Sequence, residues 1–511
     1  MIPVVLLSLA ILFLSVFFLL SRHRRILPPG PQGLPLIGIA HKHPKTEFWK
    51  TYAQWEEQYG KPGLISFHVL RRRLVVINSA QVAEDLLVRR SVVYSDRPFP
   101  TMAGKLMKRE KSMFYISHNE RFKTYRRLLH HGFNPVASLN YWNVLEHQAR
   151  LLVFNIDKDS ANMFEYLRMN AAAVTMKIAY GYTVSESNDH FVEIAEEAMR
   201  VGSLAGAPGK WLVDSIPLLQ YIPSWAPGAA FKRQAQVWCD KLYTQSLEPH
   251  NWVKARMAEG SWEPSFTSRL LETTDPHIAP GELDDLVLWT AGAVYAAGAD
   301  TTVSSMKTFL FVMMLRPEVQ SRAQAEVDSL VTRERRLPAI RDRVSMPYLE
   351  AVLKEVLRWA PPSPMGLFHC TAADDEYNGY FIPAKTTVIS NIWAMLHDPQ
   401  QYPDPFEFDP NRFLHPSKPD HQVQRNPLEL AFGFGRRICP GQHLAEATLF
   451  VQMATFLASL QISKAVDGNG NSIEPSIAFT TAIVSHVKPF AYNITRRSGV
   501  SMDLLVQDLS T

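Results

Sequence analysis

Phe432-Gly-Phe-Gly-Arg-Arg-Ile-Cys-Pro-Gly441 is the stretch on which the reading of this 511-residue chain turns. Gly433 and Gly435 permit backbone conformations closed to other residues, so Cys439 can be presented from a tight loop. A helical pattern follows from about Gln442 to Leu460, and Pro440 is expected as its first residue, where a missing N–H costs nothing. Cys439 would then sit at the positive end of a helix, which favours a thiolate. Arg437 offers a two-pronged donor for a carboxylate, and Gly441 would let a flat group approach closely. The other cysteines, Cys239 and Cys370, are distant, and no C-x-x-C spacing occurs. Neither a disulfide framework nor a zinc site fits that pattern. Cys239 and Cys370 read as small buried hydrophobes.

Upstream, Ala291-Gly-Ala-Val-Tyr-Ala-Ala-Gly-Ala-Asp-Thr-Thr302 lies inside a pattern that predicts one helix over Leu283–Leu315. Positions four apart share a face, and Ala293, Ala297, Thr301 and Ser305 are all small. Asp300 and Thr301 place an acid and a hydroxyl side by side in an apolar setting. An acid beside a hydroxyl is a pair suited to passing protons to a bound group. As a bare pattern, small helix faces more often mean close packing. Glu355-x-x-Arg358 sets opposite charges three apart, by itself a routine surface pair.

The loop matches every fixed position of F-x-x-G-x-R-x-C-x-G, and the chain thereby resembles the cytochrome P-450 superfamily. The 291–302 segment is similar to the family's A/G-G-x-D/E-T-T/S helix, and Asp409-Pro-Asn-Arg-Phe413 to its P-E-R-F segment. The resemblance implies a mainly α fold with a small β subdomain and heme b with Cys439 as axial ligand. A thiolate ligand favours O–O cleavage. It also implies cofactor contacts from Phe432, Gly433, Arg437, Gly441 and Ala297, and proton delivery by Asp300 and Thr301. Glu355, Arg358 and Arg412 would form a buried charge network holding the cysteine loop. Arg126, Arg97 and His369 occupy carboxylate-contacting positions, but Phe122 stands where the family usually has tryptophan, so an indole donor is lost. By position, Phe99, Met102, Ala293, Met365, Leu367 and Ile483 are pocket candidates.

The phrases Tyr94-Ser-Asp-Arg-Pro98, Pro227–Ala235, Ala297–Ser304, Ile392–Pro399 and Ala431–Gly441 look like the basidiomycete group often labelled O-methylsterigmatocystin oxidoreductase-like. That likeness implies hydroxylation of a hydrophobic small molecule in secondary metabolism, a terpenoid first and an aromatic, indole or polyketide intermediate second. Electrons would come from NADPH through a cytochrome P-450 reductase, with cytochrome b5 as a further donor. A reductase-independent heme-thiolate isomerase or peroxygenase is the rival enzyme class, although such relatives typically lack the acid–alcohol pair.

Composition sets the frame. Hydrophobic residues make up 46% and charged residues 20%, and the net charge is +4, a globular balance that does not suggest nucleic acid. Ile2–Leu20 carries no charge and has roughly the length that crosses a bilayer. The basic Ser21–Arg25 follows it, which predicts a single-pass anchor at 1–21 in the endoplasmic reticulum membrane with the body cytosolic. A basic and proline-rich hinge at 22–45 would lead into one catalytic domain at 46–511, expected as a monomer. Leu64–Val76 and Tyr380–Ser390 each predict a strand pair, the second broken at Pro383, and Leu218–Pro227 a stretch dipping into the membrane surface.

Overall fold

The computed structural model describes residues 26–184, 189–207, 209–414, 423–497 and 501–510. The expected anchor at 1–21 lies outside them, and among the described residues no helix is long and apolar enough to cross a membrane. Among the described residues, ten longer helices form the body. They are α1 (Phe48–Gln58), α2 (Glu120–Phe133), α3 (Trp142–Lys158), α4 (Met163–Tyr180), α5 (His190–Gly206), α6 (Ala230–Ala258), α7 (Leu283–Leu315), α8 (Pro317–Glu334), α9 (Pro347–Trp359) and α10 (Gln442–Ser459).

Local chemistry sets their ends. The Asn119 side chain caps α2 by accepting from the Phe122 N–H, and Asp189 caps α5 in the same way. α8 and α9 both open on proline, and α4 stops at Gly181, whose φ is 71°. α7 is 33 residues long, roughly 50 Å at 1.5 Å per residue. Its stretch from Thr308 to Met314 is buried on all sides, with Phe309, Leu310, Phe311, Val312 and Met313 at 0–1% exposure, so it serves as the spine of the core. Packing is tightest at its two glycines. A Cβ on Gly292 would lie 2.1 Å from Ser246 Oγ of α6, and one on Gly298 would lie 2.7 Å from Thr175 Cγ2 of α4.

The four-stranded sheet has the order β1 (Leu64–Val69), β2 (Arg72–Ile77), β6 (Thr387–Ser390), β3 (His369–Cys370). β1 and β2 pair antiparallel as expected, while β6 runs parallel to β2 and antiparallel to β3. The expected Tyr380–Ser390 pair is not formed. β5 (Tyr380–Ile382) pairs instead with β4 (Asp375–Tyr377). Pro383 has no N–H to give a ladder, and Lys385 at φ 60° turns the chain away, so the two strands diverge. A third pair, β7 (Leu460–Lys464) with β8 (Tyr492–Arg496), closes the C-terminal side.

The proline-rich stretch, expected as a stiff hinge, is docked on the body from Ile26 onward. The Pro29 carbonyl accepts from the Ser66 N–H, the Pro28 carbonyl from Ser66 Oγ, and the Ile26 carbonyl from the Phe381 N–H. A Cβ on Gly30 would fall 2.0 Å from the Ser66 carbonyl oxygen. The prolines lack donors but keep acceptors, and the edge of β1 uses them.

Candidate heme-thiolate site

The cysteine loop forms around two left-handed glycines, Gly433 at φ 81° and Gly435 at φ 54°. A Cβ on Gly435 would stand 2.2 Å from the Leu87 carbonyl oxygen, which fixes the loop against the Glu84–Arg89 turn. The Cys439 N–H donates to the Phe432 carbonyl at 2.8 Å. α10 begins at Gln442 with Gly441 as its cap, so Pro440 precedes the helix and is not its first residue. The net electrostatics run against the thiolate expected there. Burial raises the Cys439 thiol pKa, while the Gly441 N–H and the Arg126 guanidinium pull it down. The sulfur lies deep in the molecule, yet the side chain is open, so it faces an internal cavity. A Cβ on Gly441 would sit 4.0 Å from that sulfur.

Around the loop lies a cluster of cations with few acids. Arg437 donates to the Ser95 carbonyl at 2.8 Å and the Ile116 carbonyl at 2.6 Å. Its guanidinium carbon stands 3.7 Å from the centre of the Phe122 ring. Phe122 thus supplies a π face where an indole donor was expected to be missed. Burial first, then Arg97 and Arg126, lower the Arg437 pKa to about 8. Arg97 is buried, donates to the Leu367 and Phe368 carbonyls at 2.6 and 2.7 Å, and leaves its Nε without a partner. Arg126 donates to the Ile438 carbonyl at 2.7 Å, so it grips the cysteine loop itself. His369 is buried, and burial with Arg97 and Arg437 lowers its pKa to about 3. Its Nδ1 pairs with the Tyr94 carbonyl at 2.7 Å, so a neutral ring donates there and has no proton for a carboxylate at Nε2. Three guanidiniums, of which Arg437 is destabilised by the other two and Arg97 has an orphaned buried N–H, are suited to a dianion. The open sulfur beside them completes a set that fits heme with its two carboxylates.

α7 contributes the second wall. Ala291, Tyr295, Ala299 and Val303 are buried, but Ala297 is exposed and Ala293 and Thr301 are partly open. The face predicted from small residues therefore borders open space as far as Thr301, while Ser305 is buried. Thr301 Oγ1 donates to the Ala297 carbonyl at 2.9 Å. Asp300 points elsewhere, with Oδ1 2.9 Å from His486 Nε2. Nothing in the sequence pattern singles out His486, because it lies 186 positions away on a C-terminal hairpin.

Glu355, Arg358 and Arg412 come together as expected. Arg358 binds both Glu355 oxygens at 2.6 and 2.8 Å with both side chains 0% exposed, and Arg412 Nε is 3.4 Å from Glu355 Oε1. Their remaining donors go to carbonyls of Leu396, Pro403, Asp404, Pro405 and Glu407. The network clamps the segment before the cysteine loop. It reaches the loop through α9, on which the short helix Leu428–Ala431 packs, and through Arg412, whose side chain donates to Gln424 Oε1. Among the pocket candidates, Phe99, Leu367 and Ile483 are exposed, whereas Met102 and Met365 are buried in packing clusters, Met102 beside Val201 and Ala205 and Met365 beside Trp49 and Tyr52.

The cytochrome P450 family profile matches residues 28–493. The chain is 39% identical to cytochrome P450 monooxygenase 208 of Postia placenta, over 96% of this chain and 95% of that one. It is 39% identical to cytochrome P450 monooxygenase claR of Ampulloclitocybe clavipes, over 94% and 88% respectively. Against cytochrome P450 monooxygenase COX2 of Coprinopsis cinerea, identity is 38% over 88% and 85%. Proteins of this kind carry heme on a cysteine thiolate and use O2 with electrons from a reductase, which the cationic cluster and open sulfur accommodate. On profile, relatives and site chemistry together, the chain belongs to the cytochrome P450 family and is an oxidoreductase of the monooxygenase type.

Proposed function

We propose that the chain hydroxylates a hydrophobic small molecule, a terpenoid intermediate of fungal secondary metabolism, by RH + O2 + 2e− + 2H+ → ROH + H2O. Cys439 would hold the heme iron through its sulfur, and the electrons come from NADPH through a membrane-bound reductase. The observation that carries this reading is the pair of openings in an otherwise close-packed interior, the Cys439 sulfur and the Ala293–Ala297–Thr301 face of α7. They are read as two walls of one chamber. Bound heme supplies the oxygen-activating centre. Arg437, Arg97 and Arg126 would hold its carboxylates, the Gly441 N–H and Arg126 would offset part of the cost of an anionic buried sulfur, and Thr301 holds a hydroxyl at the opposite wall. Asp300 is the acid behind that hydroxyl. Ala293, Ala297, Phe99, Leu367 and Ile483 are apolar, and together they select a water-poor substrate.

Membrane attachment belongs to the same reading. Leu36 is 89% exposed, and Leu218, Tyr221 and Trp225 are 71–82% exposed. The first lies beside the β1–β2 turn, because Leu70 N–H donates to Ile37 O. The others follow Asp214, which pairs with Arg72 of β2 at 3.5 Å. Two apolar projections thus flank one end of the sheet, supporting insertion of Leu218–Pro227 into a lipid surface beside the anchor.

The test is incubation of reductase-containing membranes bearing this protein with NADPH, O2 and a panel of terpene, aromatic and polyketide precursors, read by mass spectrometry. A product heavier by one oxygen, labelled from 18O2 and dependent on NADPH, is expected. Turnover of a hydroperoxide without reductase would move the protein to the isomerase or peroxygenase class.

A further inference from the structure

The segment 104–116 is tied into a compact loop by its own backbone. The Arg109 N–H donates to the Gly104 carbonyl at 2.9 Å, the Ser112 N–H to the Arg109 carbonyl at 3.0 Å, and the Ile116 N–H to the Ser112 carbonyl at 2.9 Å. Arg437 grips one end through the Ile116 carbonyl. Elsewhere Leu106 and Tyr115 pack on Val201 and Ala205 of α5 and on Ala235 and Trp238 of α6. The Tyr115 ring meets the Phe99 ring edge-on, with 6.4 Å between centroids. The loop thus runs from the cations around Cys439 to α5 and α6, past a residue assigned above to the substrate chamber.

Arg109 carries a charge on this loop that the fold leaves unanswered. Lys111 pairs with Asp285, and Lys105 and Lys108 stand in solvent. Arg109 has neither outlet. Its guanidinium lies deep in the molecule, where burial lowers its pKa, and no carboxylate pairs with it among the described residues. Asp214, whose charge reaches Tyr115, is engaged elsewhere, accepting the Met102 N–H at 2.8 Å and standing 3.5 Å from Arg72. Arg109 Nη2 donates to Ser112 Oγ at 3.1 Å, and the guanidinium carbon lies 5.6 Å from the centre of the Tyr115 ring. Its other donors make no hydrogen bond among the described residues, yet none is sealed off, and the side chain is only half-buried. A group both deep and open faces an internal space, as Cys439 does. The Tyr115 hydroxyl also makes no hydrogen bond among the described residues and is not sealed off.

We propose that Arg109, with the Tyr115 hydroxyl beside it, is a specificity-determining residue of the substrate chamber that binds a carboxylate, so that the preferred substrate is an apolar carboxylic acid. A neutral acceptor would satisfy the free donors but not the charge, whereas a carboxylate satisfies both and matches the planar fork of the guanidinium. One guanidinium beside a neutral phenol answers one negative charge. The Phe99 ring and the alanines of α7 would take the apolar body of the same molecule. This deepens the hydroxylase reading above and rests on it for the identity of the chamber.

The test titrates the full-length, heme-loaded protein at about pH 8, where carboxylic acids are ionised. The probes are farnesoic acid with its methyl ester and dodecanoic acid with its methyl ester, read by calorimetry and by heme absorbance. Wild type is expected to favour at least one acid over its ester by about tenfold or more. The acid that binds tighter tells an isoprenoid from a straight-chain source. Equal affinity of acid and ester in both pairs, or binding of neither acid, overturns the inference. Arg109→Gln is expected to abolish the preference, and Arg109→Lys to keep part of it, since lysine supplies the charge without the fork. A full preference in Arg109→Gln overturns the assignment. Arg109→Leu removes an unpaired buried charge, so its urea midpoint is expected to stay level or rise. A lowered midpoint with the acid preference intact makes Arg109 a packing residue and overturns the proposal. Phenylglyoxal labelling, read by peptide mass spectrometry, is expected to modify Arg109 and to be blocked by the preferred acid but not by its ester. Labelling that no acid blocks counts against the site. Acid binding without NADPH-dependent oxygenation of any precursor instead sinks the hydroxylase reading and keeps the carboxylate site.

Discussion

Phe122 shows how one substitution can change the chemistry of a contact while keeping its place. The ring offers no hydrogen bond, but Arg437 lies 3.7 Å over it, so the cation is held by a quadrupole. Phe122→Leu removes that face and is expected to weaken retention of heme by about 1 kcal/mol, read as faster transfer of heme to apomyoglobin. Cys439→Ser is expected to abolish the red-shifted carbon-monoxide band of the reduced protein while the fold, followed by circular dichroism, persists. A retained band removes Cys439 from the iron. Thr301→Ala deletes the hydroxyl at the open face of α7, and a larger share of NADPH should then end as peroxide. Each of these residues stood out in the sequence because its chemistry is rare in its surroundings. His486 did not, because a lone histidine in a loop carries no pattern.

At the scale of elements, the buried pair on α9 outweighs its local motif. A Glu-x-x-Arg spacing is worth a few tenths of a kcal/mol on a surface, but here both side chains are fully buried and serve carbonyls of the 396–412 segment. Arg358→Leu strands Glu355 and is expected to cost about 3–5 kcal/mol, measured as a lowered urea midpoint. An undiminished midpoint would mean the charges are solvated. α7 divides its small residues by function. Its glycines admit Ser246 and Thr175, and its alanines at 293 and 297 border open space. The sequence pattern named the small face but could not separate these uses, since both require only the absence of bulk.

For the whole molecule, acid stability is set in part by buried histidines. His397 stacks on Trp393 at 4.2 Å, and burial with Arg358 lowers its pKa to about 3 from 6.5. Below pH 6.5 the unfolded chain takes up a proton that the folded protein refuses. This contribution is therefore fully present above pH 6.5 and is lost on acidification at about 1.4 kcal/mol per pH unit, down to about pH 3. His397→Phe is expected to flatten the urea midpoint against pH over that window, and a parallel curve would count against the assignment. Removing residues 1–25 is expected to loosen sedimentation with membranes without loss of heme, since Ile26 and the prolines after it dock on the body independently.

The sequence by itself determined the iron ligand's loop, the extent of α7 at Leu283–Leu315 and that of the helix after Cys439, because these depend on local periodicity and glycine geometry. It also named the charge triad at Glu355, Arg358 and Arg412. Only the tertiary structure decided what these parts touch. It sent Tyr380–Ile382 and Thr387–Ser390 to different sheets, docked the proline-rich stretch on β1, and turned Asp300 toward His486. It also aimed the donors of the buried triad at carbonyls of the 396–412 segment. The pairing of Thr387–Ser390 with β2 and the meeting of Asp300 with His486 join positions more than a hundred residues apart, and the other contacts use carbonyls, which have no side-chain signature.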